Sequence, residues 1–419
     1  MHHFTYHQSE LYCEDVPIKK IAKEVGTPFY IYSYATLKRH FLAFDNAFEG
    51  IKRLVCYSAK ANSNHAVLTL LKSLGSGLDI VSGGELYRGL KAGISPERIV
   101  YSGVGKRIDE IDYALESGIL MFNVESLEEL DLINERAGLL KKRAPVAIRV
   151  NPDVDAQTHP YISTGLKKNK FGIDTKSAIE GYKAARALEN IEIIGIDCHI
   201  GSQITQVQPF KDALKSLKSL VTELKKIGIK IKYLDMGGGL GITYDDESPP
   251  QLNEYAKVIV ELLKETELQL ILEPGRVIVG NAGILVTKAL FRKSSSVKKF
   301  IVVDAGMNDL LRPALYDAFH AIWPVVKSGN EFVKADIVGP ICESSDFLAA
   351  DRMVPDVKNG DIIAVMSAGA YGFAMSSNYC SRLKVAEVMV RDDRFHVVTQ
   401  RQDYEDLVRG ESVPSFINI

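Results

Sequence analysis

Eight short apolar segments lie between residues 53 and 276, and longer segments with helical periodicity separate them. The predicted strands span residues 54–57, 77–81, 98–101, 120–123, 146–150, 193–198, 231–235 and 268–273. Strands that alternate with helices are typical of parallel sheets, and eight such units form a (β/α)8 TIM-type barrel of about 250 residues. A doubly wound sheet is the alternative, but it needs a GxGxxG loop after the first strand, where this chain has YSAKAN at 57–62.

The pattern changes after residue 276, where alternating or brief apolar segments lie between Gly, Pro and Asn turns. These segments span residues 284–290, 299–304, 332–338, 361–366 and 385–390. Their spacing predicts a second, C-terminal domain made mostly of β-strands. Because no Ser/Gly-rich or low-complexity linker separates the two domains, we expect them to pack together and share a site.

Charge and hydropathy limit the possible partners of the chain. The net charge is −2 and the pI is near 6.5, so there is no basic excess that would bind nucleic acid or an anionic membrane. The first ten residues lack the pattern of a signal peptide, and no apolar stretch approaches the roughly 20 residues that span a bilayer. We therefore expect a cytoplasmic protein with a small-molecule substrate.

The cysteines are few and scattered. The chain has five of them, Cys13, Cys56, Cys198, Cys342 and Cys380. Their odd number and the absence of CxxC spacing predict neither a disulfide framework nor a zinc site. We expect reduced thiols and no bound metal.

Several chemically distinctive residues follow predicted strands of the barrel. Lys60 follows the first strand, His199 the sixth, residues 237–239 (GGG) the seventh, and Glu273 and Arg276 the eighth. The carboxyl ends of barrel strands form one rim, which is where catalytic residues of this fold lie. Lysines are usually solvated, but an amine in a semi-apolar pocket loses its proton more readily and attacks carbonyl groups.

The three successive glycines complete this set. Glycines in succession leave backbone N–H groups exposed, and such a concave turn suits a phosphate group. A phosphate cradle, an amine, a carboxylate and an imidazole on one rim together predict pyridoxal 5'-phosphate, whose aldehyde forms a Schiff base with lysine.

Longer motifs carry a family resemblance. They are YSAKAN (57–62), GSGLDIVSGGEL (75–86), HIGSQ (199–203), DMGGGLGI (235–242), EPGR (273–276), DAGMNDLLRPALY (304–316), GPICESSD (339–346) and GAYGFAMSSNY (369–379). Through them the chain resembles the fold-type III pyridoxal-phosphate decarboxylases over nearly its full length, and most closely those that act on diaminopimelate. The resemblance implies a barrel at residues 32–276 and a β domain at residues 277–419 that residues 1–31 complete. Cys380 and Leu383 depart from the family pattern, which more usually has Asn and Pro there.

The resemblance also implies roles for individual residues. Lys60 would hold the cofactor covalently, Glu273 would keep its pyridine nitrogen protonated, and His199 would stack on the ring. The phosphate side would comprise Ser202, Gly237, Gly238, Gly239, Gly275, Arg276 and Tyr371. The substrate would be held by Arg276, Arg312, Tyr316, Glu343 and Tyr371, with Glu343 accepting its distal ammonium. Cys342 would protonate the carbanion that decarboxylation leaves.

The implied reaction is decarboxylation of meso-2,6-diaminopimelate at its D-centre to L-lysine, in a homodimer whose GPICESSD loop reaches the partner's barrel. A decarboxylase of ornithine, arginine, lysine or carboxynorspermidine is an alternative, but a second substrate carboxylate is what calls for a clamp of Arg312 and Tyr316. A non-catalytic cofactor-binding regulator would have no need of Lys60, Glu273 and Cys342 together. A racemase of this fold type would have Arg in place of Glu273.

Overall fold

The structure is a computed structural model that describes residues 2–155, 170–327 and 332–417. The chain forms two compact units. One, here called the β unit, comprises Met1–Thr36 and Asn281–Ile419, and the other, the barrel unit, comprises Leu37–Gly280. Among the described residues, no helix combines the length and apolar character needed to cross a membrane.

The N-terminal segment begins with a small antiparallel sheet that the sequence pattern did not predict. In chain order its elements are β1 (Phe4–His7), β2 (Glu10–Cys13), β3 (Val16–Pro17), α1 (Ile18–Val25), β4 (Phe29–Ser33) and α2 (Tyr34–Ala47). Strands of two to four residues contain too few alternations to be recognised by period. Their apolar side chains are nevertheless fully buried at Phe4, Leu11 and Cys13.

Eight parallel strands close the barrel. The strands of this unit are β5 (Arg53–Ser58), β6 (Gly77–Ile80), β7 (Ile99–Tyr101), β8 (Met121–Val124), β9 (Ala144–Asn151), β10 (Ile173–Asp174), β11 (Ile191–Asp197), β12 (Tyr233–Asp235) and β13 (Gln269–Leu272). The order runs β9-β11-β12-β13-β5-β6-β7-β8, and the pairing of β8 with β9 completes the ring. The short strand β10 pairs with β9 outside this ring. The predicted eight-stranded barrel is confirmed.

Helices connect these strands, and polar caps fix where several of them begin. The helices are α3 (His65–Ser73), α4 (Gly83–Lys91), α5 (Ile108–Ser117), α6 (Leu127–Leu139), α7 (Thr175–Ala187), α8 (Gln208–Lys226), α9 (Leu252–Leu263) and α10 (Arg276–Val279). The hydroxyl of Ser82 accepts a hydrogen bond from the backbone N–H of Glu85, and Ser126 does the same for Glu129. Each cap satisfies an N–H group that has no partner within its helix, so the helix starts close to the end of the preceding strand.

The barrel core is apolar below the rim. One buried cluster joins residues from six of its strands, namely Leu54, Cys56, Val100, Met121, Ala147, Tyr233 and Ile271, with Leu120 and Ile194 packed against it. Buried polar residues of the strands, among them Asp79, Asn123, Asp197 and Asp235, lie farther along, toward the carboxyl ends. The apolar layer thus confines chemistry to the rim.

The C-terminal part of the β unit forms the second sheet. Its elements are β14 (Gly283–Ser294), β15 (Lys299–Val303), α11 (Arg312–Tyr316), β16 (Ile322–Pro324), β17 (Phe332–Val338), β18 (Phe347–Pro355), β19 (Ile362–Val365), β20 (Ala386–Arg391), β21 (Arg394–Thr399) and α12 (Tyr404–Leu407). The N-terminal strand β4 lies between β14, to which it is antiparallel, and β20, to which it is parallel. This confirms that the N-terminal segment completes the β domain.

The glycine at the start of β14 permits this pairing. A Cβ atom at Gly283 would lie 2.7 Å from the Tyr32 ring and 2.6 Å from the Cα of Gly369. Only a residue without a side chain allows β4 and the chain after β19 to approach β14 so closely.

Candidate active site

Lys60 lies on the rim directly after strand β5. A single turn of 3-10 helix, Ala59–Ala61, carries it past the strand end. Its Nζ donates to Asp79 Oδ2 at 2.5 Å, and Ser58 Oγ lies 3.4 Å away. The side chain of Lys60 is 37% exposed, whereas that of Asp79 is fully buried. The amine is therefore held by a buried carboxylate and remains accessible from outside.

Asp79 is a site residue that the sequence analysis missed. It stands in strand β6, and Ser58 Oγ lies 2.7 Å from its Oδ2 and 3.0 Å from the carbonyl oxygen of Glu273. Through Ser58 the three neighbouring strand ends β6, β5 and β13 are joined. The signal was present in the sequence as an acidic residue inside the apolar run GLDIV (77–81).

Glu273 is buried after strand β13 and belongs to a cluster of carboxyl groups. Oxygen atoms of Asp197, Asp235 and Glu273 all lie within 4.8 Å of one another. Asn123 Nδ2 lies 3.4 Å from Glu273 Oε1 and 3.3 Å from Asp235 Oδ2, and Ser102 Oγ lies 3.2 Å from Glu273 Oε1. We call the three carboxyl groups the acid floor.

The acid floor holds protons more tightly than ordinary carboxyl groups do. Burial, followed by the negative charges of Asp235 and its neighbours, raises the pKa of Glu273 well above its usual range. Burial likewise raises the pKa of Asp235 to about 6 and that of Asp197 well above its usual range. A cationic group placed against Glu273 would favour its ionised form.

Arg149 places a positive charge beside the Asp197 side of the acid floor. Its Nη1 donates to Glu125 Oε1 at 2.6 Å, and its Nε lies 3.9 Å from Asp197 Oδ2. Both members of the close pair are buried. Paired buried charges of this kind keep a polar rim ordered, although they add little net stability.

His199 carries a neutral ring. The backbone N–H of Gly238 donates to His199 Nδ1 at 3.2 Å, so this nitrogen acts as an acceptor. Burial, helped by the nearby charges of Arg149 and Lys60, holds the pKa of His199 well below its usual value. A neutral, buried imidazole is suited to stack on a planar ring.

The three glycines after strand β12 permit close backbone contacts. A Cβ atom at Gly238 would lie 2.2 Å from the Glu273 carbonyl oxygen, and one at Gly239 would lie 2.4 Å from the Gly201 carbonyl oxygen. Gly237 has a φ of +64°, in the left-handed region. This turn can be built only from glycine, and it brings the loops after β11, β12 and β13 together.

Arg276 adds a fixed positive charge on the same rim. Gly275 caps the short helix α10, and Arg276 is its first residue. Arg276 Nη2 donates to Ser202 Oγ at 2.9 Å and its Nη1 donates to Tyr244 OH at 2.8 Å. The structure thus brings Lys60, His199, Ser202, Gly237–Gly239, Glu273, Gly275 and Arg276 together on one rim.

The remaining predicted site residues belong to the β unit. Arg312 and Tyr316 begin and end helix α11, and Arg312 is buried. Cys342 and Glu343 lie exposed in the turn between β17 and β18, and Tyr371 follows β19 with a φ of +55°.

Buried Asp346 organises the turn that carries Cys342. The backbone N–H groups of Ile341 and Met307 both donate to its carboxylate at 2.6 Å. Beside the turn lies a pocket of about 490 Å³, whose lining includes Asn308, Asp309, Cys342, Cys380, Arg382 and Arg401. Cys342 is therefore an accessible thiol on a fixed turn.

The rim fits pyridoxal 5'-phosphate. Lys60 supplies an accessible amine, Glu273 a buried carboxyl group, and residues 237–239 a turn that side chains would fill. Three buried oxygens in or beside the acid floor, Asp79 Oδ1, Asn123 Oδ1 and Asp197 Oδ1, have no hydrogen-bond partner within the described ranges. Buried acceptors of this kind are usually satisfied by water or a ligand. A barrel with this rim and a separate β unit defines a pyridoxal-dependent enzyme.

Comparison with known proteins extends this assignment. Residues 34–280 match the family model described as "Pyridoxal-dependent decarboxylase, pyridoxal binding domain". The chain is 52% identical over 406 residues to a diaminopimelate decarboxylase of Aquifex aeolicus, with 96% of each chain covered. It is 51% identical over 414 residues to that of Haemophilus influenzae, with 98% of this chain and all of the relative covered.

Solved structures of diaminopimelate decarboxylases resemble this chain as well. The diaminopimelate decarboxylase of Helicobacter pylori, solved in complex with L-lysine, is 44% identical with a TM-score of 0.90, and the match covers 94% of this chain and 98% of that one. The enzyme from M. jannaschii is 38% identical with a TM-score of 0.94, covering 99% of each chain. The chain belongs to the diaminopimelate decarboxylase family of pyridoxal-dependent enzymes.

Proposed function

We propose that this protein removes the carboxyl group at the D-centre of meso-2,6-diaminopimelate and releases L-lysine and CO2. The observation that carries the proposal is the Lys60–Asp79 pair above the acid floor, in a chain about half identical to diaminopimelate decarboxylases over nearly its whole length. Pyridoxal 5'-phosphate, when bound, supplies an electron sink for the carbanion that loss of CO2 leaves.

The residues of the barrel rim would hold the cofactor. Lys60 would bind it covalently, and Asp79, which accepts a hydrogen bond from Lys60 Nζ, would orient the amine for that bond. His199 would stack on the ring of the cofactor. The phosphate is held by Ser202, Gly237, Gly238, Gly239, Gly275 and Arg276, with Tyr371 from the β unit.

Glu273 would partner the ring nitrogen. Without a cation beside it, burial favours its protonated form. With the cofactor bound, Glu273 would ionise beside a cationic ring nitrogen and would in turn favour protonation of that nitrogen. Ser102 and Asn123 hold the carboxyl group in place through Oε1.

Substrate recognition would depend on the second amino-acid end of diaminopimelate. Arg312, Tyr316 and Arg276 bind its distal carboxylate, because a guanidinium group matches a carboxylate with two parallel hydrogen bonds. Glu343 accepts the distal ammonium, and Tyr371 contacts the substrate as well as the cofactor.

A substrate panel with product identification tests this function. Diaminopimelate, ornithine, arginine, lysine and carboxynorspermidine are each offered to the purified enzyme. We expect CO2 and L-lysine from meso-diaminopimelate and at least a hundredfold lower turnover of the others. Preferred release of a diamine from lysine or ornithine would replace the proposal with the related decarboxylase activity.

Cys342 would donate the proton that replaces CO2, and we propose that it acts in the partner's site of a homodimer. Its exposed thiol on a turn fixed by Asp346 supports this role. Two-fold symmetry then gives two equivalent composite sites.

Mixing two inactive variants tests the shared site. Lys60→Ala and Cys342→Ala subunits are allowed to exchange, with Cys380→Ala, which alters the other thiol of the pocket, as the active control. Random pairing makes half the dimers mixed, and each has one intact site, so about a quarter of full activity should return. No recovery despite demonstrated exchange would place Cys342 in the site of its own chain or outside the mechanism.

The cytoplasmic location is also part of the proposal. All five cysteines are free, and Cys342 must be a thiol to donate its proton. A reducing compartment preserves thiols. Cell fractionation should recover the protein with cytoplasmic markers, and recovery in an oxidising compartment would contradict this location.

A further inference from the structure

We propose that His320 is a positioning residue for Arg312 and, through it, for the substrate's distal carboxylate. The inference rests on the proposed function, in which Arg312 binds that carboxylate. His320 lies four residues beyond the end of helix α11, outside every motif that the sequence analysis used.

The hydrogen bonds of His320 fix its tautomer. Arg312 Nη1 lies 2.8 Å from His320 Nε2. A guanidinium group only donates, so Nε2 accepts and the ring proton is on Nδ1. His320 Nδ1 lies 2.8 Å from the carbonyl oxygen of Met366, which only accepts. The two contacts therefore require the same neutral ring.

The surrounding chain holds this ring still. His320 is completely buried. Its carbonyl oxygen accepts a hydrogen bond from Arg352 Nη2 at 3.0 Å, and the backbone N–H of Met366 donates to the neighbouring Ala321 at 2.9 Å. Strand β18 and the residue that follows β19 thus anchor the loop on which His320 stands.

Helix α11 alone could not give Arg312 this precision. It has five residues and is followed by the capping residue Asp317, whose φ is +51°. A free arginine side chain samples many rotamers, and ordering them on binding costs affinity. His320 removes part of this freedom before the substrate arrives, because it holds one terminal nitrogen of the guanidinium group.

Three substitutions in the holoenzyme separate positioning from general damage. In His320→Gln the carboxamide can accept from Arg312 and donate to Met366, in His320→Asn it is too short to reach both, and His320→Leu makes neither bond. For His320→Leu we expect KM for meso-diaminopimelate and the inhibition constant of L-lysine, which keeps the distal carboxylate, to rise about tenfold. The kcat at saturation should change less than about threefold, and His320→Gln should restore most of the affinity.

The Arg312→Ala background gives the decisive control. In that background His320→Leu should weaken the binding of L-lysine by less than about twofold, because His320 acts through Arg312. An equal tenfold loss in that background, or a fall in kcat and cofactor absorbance without a change in KM, would overturn the inference. Should the Leu variant not fold, equal affinities of the Gln and Asn variants would overturn it. Failure of the proposed function is distinguishable, because it appears as wild-type enzyme that forms no lysine, or as Arg312→Ala enzyme that binds L-lysine normally.

Discussion

Two lysines lie on the rim of the same barrel, and only one is open to reaction. Lys60 follows β5 and Lys106 follows β7. Lys106 Nζ donates to the carbonyl oxygens of Gly103 and Asn123, both at 2.8 Å, and to Glu129 Oε1 at 2.6 Å. Its side chain is 1% exposed, compared with 37% for Lys60.

The difference shows what makes a rim lysine reactive. An ammonium group has three donors, and Lys106 donates all three to fixed acceptors of the protein. Lys60 also pairs with a buried acid, Asp79, but its side chain remains accessible. A carboxylate partner is common to both lysines, so accessibility beside the acid floor is the property that distinguishes the nucleophile.

Replacement of the two lysines should give the largest contrast in activity. Lys60→Ala is expected to lose more than about a thousandfold in kcat, because covalent catalysis needs this amine. Lys106→Met should keep activity within about tenfold, because its nitrogen contacts only protein. Borohydride reduction followed by mass spectrometry should attach the cofactor to Lys60 alone. A reducible adduct that persists in Lys60→Ala would reverse the assignment.

Stability should show the opposite contrast. Lys106→Met leaves Glu129, whose side chain is only 10% exposed, without its cation and two carbonyl groups without their donor, so the free energy of unfolding should fall by about 3–5 kcal/mol. Lys60→Met removes a single ion pair, in which the lysine is 37% exposed and buried Asp79 keeps its hydrogen bond from Ser58, so the loss should be smaller, about 1–2 kcal/mol. Urea unfolding of the cofactor-free variants measures both values. Equal losses would mean that Lys60 is as much a structural residue as Lys106.

The carboxyl partners of the two lysines, Asp79 and Glu129, should show the same contrast in activity as the lysines themselves. Asp79→Asn keeps the shape of the side chain but removes the charge that holds Lys60, so kcat/KM should fall about ten- to a hundredfold while cofactor remains bound. Glu129→Gln should leave kcat/KM within about threefold, because Glu129 contacts Lys106 rather than the reacting amine. Steady-state kinetics measure kcat/KM for both variants, and cofactor absorbance shows whether each still binds the cofactor. A similar loss in both variants would show that the acid acts through the stability of the rim.

The fold could be predicted from the sequence more completely than the site. The eight barrel strands were visible because each is an apolar run, and Lys60 and Glu273 because they end such runs. Asp79, Asn123 and Asp235 were missed, since a single polar residue inside a strand does not reveal which other strands it faces. That depends on barrel closure, which pairs β13 with β5 across some 200 residues of chain. The hydrogen bonds between Arg312, His320 and Met366 were hidden because they depend on how a loop of the β unit packs against the chain that follows β19.

The smallest predicted effect is the pH dependence of stability that the raised pKa values of the acid floor produce. The folded-state pKa of Asp235 is about 6, above the value of about 3.9 in an unfolded chain. Between these values the folded protein binds a proton that the unfolded chain has lost, so stability decreases as pH rises through this window. Glu273 and Asp197 shift in the same direction and extend the decrease to higher pH.

Asp235→Asn removes one of these protons while its side-chain oxygen can still accept from Gly237 N–H, as Asp235 Oδ1 does at 2.9 Å. The free energy of unfolding of the cofactor-free variant, measured relative to that of wild type, should therefore increase by about 1–3 kcal/mol between pH 4 and pH 8. Exposed Asp246→Asn is the control, and its difference from wild type should not change with pH. Thermal unfolding at the two pH values measures this. A constant difference for Asp235→Asn as well would mean that the floor is already ionised without the cofactor, and that Glu273 needs no cation to charge it.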